Sequence, residues 1–111
     1  MMTVRDMVAD AQRQMLSDLS PLQARELLVK LTSLLGNVLH ECVQADHAYA
    51  IVLLRFLDAD EAANRSKIRA ETSLEYLRKA EAVVTKTLVT EAIRSLKAYI
   101  NSLSDEMRLQ H

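Results

Sequence analysis

Four side chains of the kinds that bind metal ions lie close together near the middle of the sequence: His40, Cys42, Asp46 and His47. Imidazole nitrogen, thiolate sulfur and carboxylate oxygen are all ligands of Zn²⁺. On a helix, the two histidines would lie about two turns apart on nearly the same face. The stretch lacks the Cys-x-x-Cys and His-x-x-x-His spacings of structural zinc sites, and Cys42 belongs to an apolar repeat. We therefore interpret Cys42 as a packed thiol and the histidines as partly exposed, and we expect no metal and no cofactor.

The other polar residues form no recognisable catalytic pattern. Carboxylates are frequent between Glu41 and Glu61, but metal-binding helical bundles carry Glu-x-x-His on facing helices, and that motif is absent from the sequence. Gly36 is the one glycine, too few for a phosphate-binding loop, and no serine lies in a nucleophile elbow. The sequence therefore predicts a protein that is not an enzyme.

One locally basic region runs from residue 65 to residue 86. Its candidate contacts with nucleic acid or with a partner are Arg65, Lys67, Arg69, Arg78 and Lys79. Glu71, Glu75 and Glu81 interleave with these cations, and only Tyr76 offers a ring on which a base could stack. A salt-bridged surface is thus the favoured interpretation, and a contact with phosphates is the alternative.

The composition favours an all-α protein. The 111 residues suffice for one domain with a modest core. Hydrophobic residues make up 50%, yet there is one Gly, one Pro, one Phe and no Trp, which suits helices better than turn-rich β folds. A net charge of −1 gives no overall attraction to nucleic acid or anionic membranes. With one cysteine, no signal peptide and no apolar run near 20 residues, we expect a cytoplasmic protein without membrane contact.

Capping signals mark the starts of the first two helices. Thr3 and Asp6 have the spacing at which side chains occupy unpaired amide groups of a first turn, so helix 1 is predicted over about 3–19. The segment 20–23, Ser-Pro-Leu-Gln, combines a capping serine, a proline at the first helical position and a glutamine that closes a capping box. Helix 2 is predicted to begin there and to extend to about residue 71.

An apolar repeat follows helix 2 in alternating steps of four and three residues, the a/d pattern of a coiled coil. Its predicted core or oligomer seam contains Leu28, Leu31, Leu35, Val38, Cys42, Tyr49, Val52 and Phe56. Further leucines beside this seam favour packing against more than one neighbour. Because the repeat passes through Gly36-Asn37 without a change of phase, we expect a continuous or gently kinked helix there, with Gly36 allowing a close backbone approach. The densest packing is predicted around Tyr49, Val52 and Phe56.

A polar segment from Asp58 to Thr72 precedes the last helix. Thr72 and Glu75 offer another capping box, and the last helix is predicted over about 73–108. The spacing of its apolar face slips by about one residue between Val84 and Ala92, as in a coiled-coil stutter. That face is predicted to consist of Leu77, Ala80, Val84, Leu88, Ala92, Leu96, Tyr99, Ile100, Leu103 and Met107.

The predicted helix lengths favour an oligomer. At about 1.5 Å per residue, helix 2 and the last helix would extend on the order of 70 Å and 50 Å. Helix 1 alone cannot cover them. We therefore predict an antiparallel helical hairpin that resembles a coiled coil, with a short N-terminal helix, closed by further copies of the chain into an oligomeric helical bundle.

Several segments resemble short helical proteins encoded by tailed bacteriophages and prophages. They are Leu34-Leu35-Gly36-Asn37-Val38, Ala48-Tyr49, and Glu91-Ala92-Ile93-Arg94-Ser95-Leu96-Lys97 through Glu106-Met107-Arg108. The resemblance spans roughly 31–108 and rests on a helical pattern without catalytic signature residues. It implies a phage origin, the cytoplasm of the host cell, and a host or phage protein as partner.

Three functional hypotheses are open at this point. The first is a protein-protein interaction or assembly module, supported by the wide apolar face of helix 2. The alternative is an accessory DNA-binding factor in phage replication, recombination or packaging, supported by the basic region 65–86. A metal-dependent or hydrolytic enzyme is a third hypothesis, which metal analysis of the purified protein would test.

Overall fold

A computed structural model describes residues 3–15, 17–59 and 62–109, and these residues form four α-helices with no strand among them. The prediction of an all-α protein is confirmed. The helices are α1 (Val4–Met15), α2 (Pro21–Asp58), α3 (Ala63–Glu71) and α4 (Leu74–Leu109).

Reciprocal capping boxes begin the first two helices, as the sequence predicts. The Thr3 amide donates to Asp6 Oδ2 at 3.1 Å, and the Asp6 amide donates to Thr3 Oγ1 at 3.2 Å. These contacts with Thr3, the backbone amide foremost, hold the pKa of Asp6 below its ordinary value of 3.8, because they favour the ionised carboxylate. At α2, the Ser20 amide donates to Gln23 Oε1 at 3.0 Å, and the Gln23 amide donates to Ser20 Oγ at 3.2 Å. Four amide groups are thereby paired by local contacts alone.

Helix 1 ends earlier than predicted. The amide and the hydroxyl of Ser17 both donate to the Gln14 carbonyl, at 3.2 Å and 2.7 Å. A serine that captures a nearby carbonyl competes with continued helix, so α1 ends at Met15 and not near residue 19.

Helix 2 also ends earlier than predicted, although it is uninterrupted at Gly36-Asn37. The helix stops at Asp58, and a separate short helix, α3, occupies the later part of the polar segment. The prediction of one helix to about residue 71 was wrong because this segment has few large apolar side chains to hold it against a neighbour. Asp60 and Glu61 lie outside the described residues.

The cap of the last helix is Ser73, one residue after the predicted Thr72. Ser73 Oγ accepts a hydrogen bond from the Tyr76 amide at 3.2 Å and donates to the Ala70 carbonyl. Thr72 belongs instead to the end of α3, where its hydroxyl donates to the Arg69 carbonyl at 2.8 Å. Two adjacent hydroxyl residues therefore divide the turn, one ending α3 and one starting α4.

The contacts of the chain fall into two compact units. Unit 1 contains the described residues of Met1–Asn37 and Thr87–His111, and unit 2 contains Val38–Lys86. Each unit pairs one part of α2 with one part of α4 and adds one short helix, α1 in unit 1 and α3 in unit 2. The prediction of a single domain over 1–111 stays a prediction.

Unit 1 has an apolar core. The buried side chains come from α1, α2 and α4, and the most completely buried large ones are Leu31 and Leu96, each 1% exposed, and Val89. The Tyr99 hydroxyl donates a hydrogen bond to the Leu19 carbonyl at 2.7 Å, which joins α4 to the segment between α1 and α2. The full apolar core of this unit comprises Val8, Ala11, Ala24, Leu27, Leu31, Leu34, Val89, Ala92 and Leu96.

Unit 2 buries small and polar side chains. Val38, Ser66, Ala70 and Thr85 are its buried residues. The Thr85 hydroxyl donates to the Glu81 carbonyl at 2.9 Å, which satisfies the hydroxyl where it is buried. The Ser66 hydroxyl is fully buried and has no hydrogen-bond partner among the described groups.

The apolar face of α4 was predicted correctly only between Ala92 and Leu103, since Met107 is 57% exposed. Ala92 and Leu96 are buried as predicted, but the helix continues that face backwards through Val89 and Thr85. Leu77, Ala80, Val84 and Leu88 are exposed instead. A regular helix of 3.6 residues per turn keeps one direction without the predicted stutter, and the internally bonded Thr85 can take a buried position.

Candidate interaction surface

The predicted seam residues of α2 face the core in both units, but they are buried to different extents. Leu31 and Val38 are buried, as the core interpretation requires. The other seam residues are half-buried, namely Leu28, Leu35, Cys42, Tyr49, Val52 and Phe56. In unit 1 the deeper positions are Leu27 and Leu34, one residue before the predicted ones. The prediction that packing is densest around Phe56 was wrong, since the fully buried large side chains of α2 are Leu31 and Val38.

A cluster of aromatic rings and cations occupies unit 2. The rings of Tyr49 and Tyr76 lie 5.6 Å apart between centroids, in a tilted arrangement. Lys79 Nζ lies 4.6 Å from the centroid of the Tyr49 ring and 3.9 Å from Asp46 Oδ1. These contacts hold the ammonium group of Lys79 against both the Tyr49 ring and the Asp46 carboxylate. The cluster thus joins α2 to α4 through partly exposed polar groups.

A second cation lies over the one phenylalanine. The Arg69 guanidinium carbon is 5.4 Å from the centroid of the Phe56 ring, which joins α3 to α2. Arg69 and Lys79, two of the five predicted nucleic-acid contacts, therefore pack against α2 of their own chain. Arg65, Lys67 and Arg78 are exposed. No local sequence pattern indicates these ring contacts, because they join residues far apart in the chain.

The metal-ligand candidates do not converge. The Cys42 thiol donates to the Ala82 carbonyl at 3.4 Å, so it faces α4 as a packed, half-buried group. His40 and His47 are exposed. Within the described residues, no group of three or more His, Cys, Asp or Glu side chains could hold a metal ion.

Unit 2 exposes apolar side chains on all three of its helices. We call those that are more than half exposed the unit 2 apolar surface: Val43 and Leu54 on α2, Ile68 on α3, and Leu74, Leu77, Val83 and Val84 on α4. Isolated exposed apolar residues are ordinary, but a concentration of them in a unit with a small core indicates surface available for a partner. Sequence reasoning had assigned Leu77 and Val84 to the core.

Unit 1 contains a shallow cavity of about 470 Å³ between α1 and α2. Its floor includes Ala11, Leu27 and Leu31, and its charged lining residues are Asp10 and Lys30. Asp10 already accepts a hydrogen bond from Gln14 Nε2 at 2.9 Å and lies 3.6 Å from Arg13. The lining mixes apolar and polar side chains, and its carboxylate is already paired with neighbours on α1.

No protein-family model matches the sequence, and no curated protein or solved structure resembles it closely enough to suggest a family. Over the part of the chain that the structure describes, no helix is both long and apolar enough to span a membrane.

Proposed function

We propose that this chain is a non-enzymatic helical interaction module that assembles with further copies of itself into a helical bundle. Through that bundle it engages a host or phage protein. The resemblance to short helical phage proteins supports a phage-encoded module in the host cytoplasm.

The observation that carries the proposal is the unit 2 apolar surface. Val43 is 66% exposed and Leu54 is 57% exposed, on the same helix whose seam residues Tyr49 and Phe56 are only half-buried. Complete burial of a side chain of this kind contributes roughly 1.5 to 3 kcal/mol relative to full exposure. Association that buries these side chains would therefore add to the stability of unit 2.

Mass and stability measured together test this proposal. Sedimentation equilibrium should give a mass above 12.5 kDa, the mass of one chain. The thermal midpoint should rise with protein concentration, because folding linked to association follows mass action. A monomer whose midpoint is the same over a hundredfold concentration range would refute self-assembly.

The alternative is an accessory factor that binds DNA, and the exposure of Arg65, Lys67 and Arg78 supports it. We place it second because Arg69 and Lys79 are engaged with Phe56, Tyr49 and Asp46. Titration with single-stranded and double-stranded DNA at 50 mM and 200 mM salt separates the two functions, since phosphate binding weakens steeply with salt. Tight binding to DNA that Arg65→Ala and Lys67→Ala weaken would favour the alternative.

A further inference from the structure

The cavity between α1 and α2 lies within unit 1, because every residue that lines it belongs to that unit. Its floor is apolar and consists of four buried side chains, Ala11, Leu27, Leu31 and Leu34. Met7 on α1 and Val29 on α2 line it as well, and they are 42% and 66% exposed. The cavity therefore offers apolar surface that the chain leaves in contact with water.

The size and shape of the cavity suit a small, elongated molecule. Its volume of about 470 Å³ lies in the range of small-molecule sites, roughly 300 to 1,000 Å³. The lining residues of α2 extend from Leu27 to Asn37, which is about 15 Å at the helical rise of about 1.5 Å per residue. A hydrocarbon chain can lie along such a length in contact with both helices.

The α2 wall of the cavity carries polar groups that a ligand could bind. Lys30, Ser33 and Asn37 line the cavity at spacings of three and four residues, which places them along one face of α2. All three are exposed, and among the described residues none of them forms an ion pair or a side-chain hydrogen bond. This wall thus presents an ammonium group, a hydroxyl group and a carboxamide group, each of which can donate a hydrogen bond.

The α1 wall is polar as well, but its groups are bonded to one another. Asp10 Oδ2 accepts the hydrogen bond from Gln14 Nε2, and Asp10 Oδ1 lies 3.6 Å from the Arg13 guanidinium, whose cation offsets the charge of the carboxylate. Among the described residues, Lys30 is thus the charged lining residue that has no ion-pair partner. An anionic group on a ligand would supply that partner.

We propose that this cavity binds a small anionic amphiphile, a carboxylate attached to an unbranched hydrocarbon chain. The carboxylate pairs with the Lys30 ammonium group and accepts a hydrogen bond from the Ser33 hydroxyl, one turn further along α2. The chain lies over the floor between Met7 and Val29, so that the burial of its own surface and of theirs contributes to affinity. The flexible thioether side chain of Met7 adjusts to the chain. Because this site is separate from the unit 2 apolar surface, the inference goes beyond the proposed self-assembly and does not depend on it.

Titration with octanoate, followed by NMR of the amide groups, tests the site. At concentrations below those at which octanoate forms micelles, the signals of residues 7–14 and 27–37 should shift and saturate. The signals of unit 2 should stay in place, because the cavity contains none of its residues. Octanol has the same chain without the charge, and we expect it to bind about tenfold more weakly than octanoate.

Substitutions in the α2 wall test the two parts of the ligand separately. Lys30→Gln removes the cation, so the dissociation constant for octanoate should rise by about tenfold while that for octanol stays unchanged. Lys97→Gln is the matched control, at an exposed lysine of unit 1 outside the cavity, and should change neither constant. Ser33→Phe places a bulky side chain in the cavity from an exposed position, so it should block both ligands while the helical content stays the same.

The site is supported if saturable shifts are confined to residues 7–14 and 27–37 and if Lys30→Gln weakens octanoate binding where Lys97→Gln does not. Three results would overturn it: no saturable shift in these residues, shifts spread over both units as a detergent would give, or equal affinity of octanoate for Lys30→Gln and the parent. None of them bears on self-assembly, which the mass of the protein without ligand decides.

Discussion

The two compact units are built from parts of the same two long helices, yet they differ in what they bury. Unit 1 buries leucines and valines from three helices, with Leu31 and Leu96 almost inaccessible to solvent. Unit 2 buries Ser66, Ala70 and Thr85 beside a single valine. Both units expose apolar side chains, such as Leu22 and Val29 in unit 1 and Val43 and Leu54 in unit 2, but every buried leucine among the described residues belongs to unit 1. A helix of uniform apolar composition can therefore serve as core along one stretch and as surface along another.

The difference has an energetic consequence. Burial of apolar area is the main favourable term in folding, so unit 1 has the means to hold its own helices together. Unit 2 relies on rings, cations and small residues, including Arg69 over Phe56 and Lys79 over Tyr49. Partly exposed contacts of this kind contribute little each. We infer that unit 1 is the stable part of the chain and that unit 2 gains most from a partner.

A pair of truncations gives the largest expected effect and tests the comparison directly. Leu31→Ala, which removes a buried side chain in unit 1, should lower the free energy of unfolding by about 3 kcal/mol or more because a cavity remains. Phe56→Ala, in unit 2, should cost about 1 to 2 kcal/mol because its ring is only half-buried. Urea melts at one protein concentration measure both. Equal losses would show that the two units are packed alike in solution.

A second pair of variants tests the hydrogen bond of the Tyr99 hydroxyl in unit 1. Tyr99→Phe keeps the ring but removes the hydrogen bond to the Leu19 carbonyl, so we expect a loss of about 1 kcal/mol. Tyr76→Phe in unit 2, at a ring that is 39% exposed, is the matched control and should change stability by less than about 0.5 kcal/mol. Thermal melts of the two variants should rank them in that order. A reversed order would contradict a stabilising hydrogen bond between Tyr99 and the Leu19 carbonyl in unit 1.

A substitution at Ser66 in unit 2 should raise the stability of the protein, whereas the preceding substitutions lower it. Its buried hydroxyl has no partner among the described groups, so Ser66→Ala removes an unsatisfied polar atom and improves helix propensity. We expect stability to rise by about 0.5 to 1 kcal/mol in denaturant melts. The variant Ser104→Ala, at a half-buried serine of α4 in unit 1, controls for propensity alone. A loss of stability in Ser66→Ala would mean that the hydroxyl is bonded in solution.

The smallest expected effect is the pH dependence of stability that comes from Asp6 at the start of α1. Because the pKa of Asp6 is lowered in the folded chain, its carboxylate stabilises the fold at pH values above 3.8, and this contribution is lost as the pH falls below 3.8 through the lowered pKa. Asp6→Asn should therefore be less stable than the parent at pH 7, and the difference should shrink as the pH falls below 3.8. Helical content followed by circular dichroism above and below pH 3.8 measures the difference. If the stability difference between the variant and the parent stayed the same in acid, its cause would not be the charge of Asp6.

Much of the secondary structure could be predicted because its signals are local. The boxes Thr3 with Asp6 and Ser20 with Gln23 join residues three apart, so the residue types alone specify the contacts. The all-α class followed from composition and periodicity for the same reason. The end of α1 was missed although its signal, Ser17, was present, since a serine is compatible with both helix and turn.

Tertiary structure alone decided which apolar face is inside. The face of α4 through Leu77 and Val84 and the face through Thr85 and Val89 are both helical in spacing, and only packing against α2 selects the second. The same holds for the contacts of Arg69 with Phe56 and of Tyr99 with Leu19, which join residues distant in sequence. Periodicity specifies that a helix has a face to bury. What that face meets depends on the neighbouring helices, which no local pattern encodes.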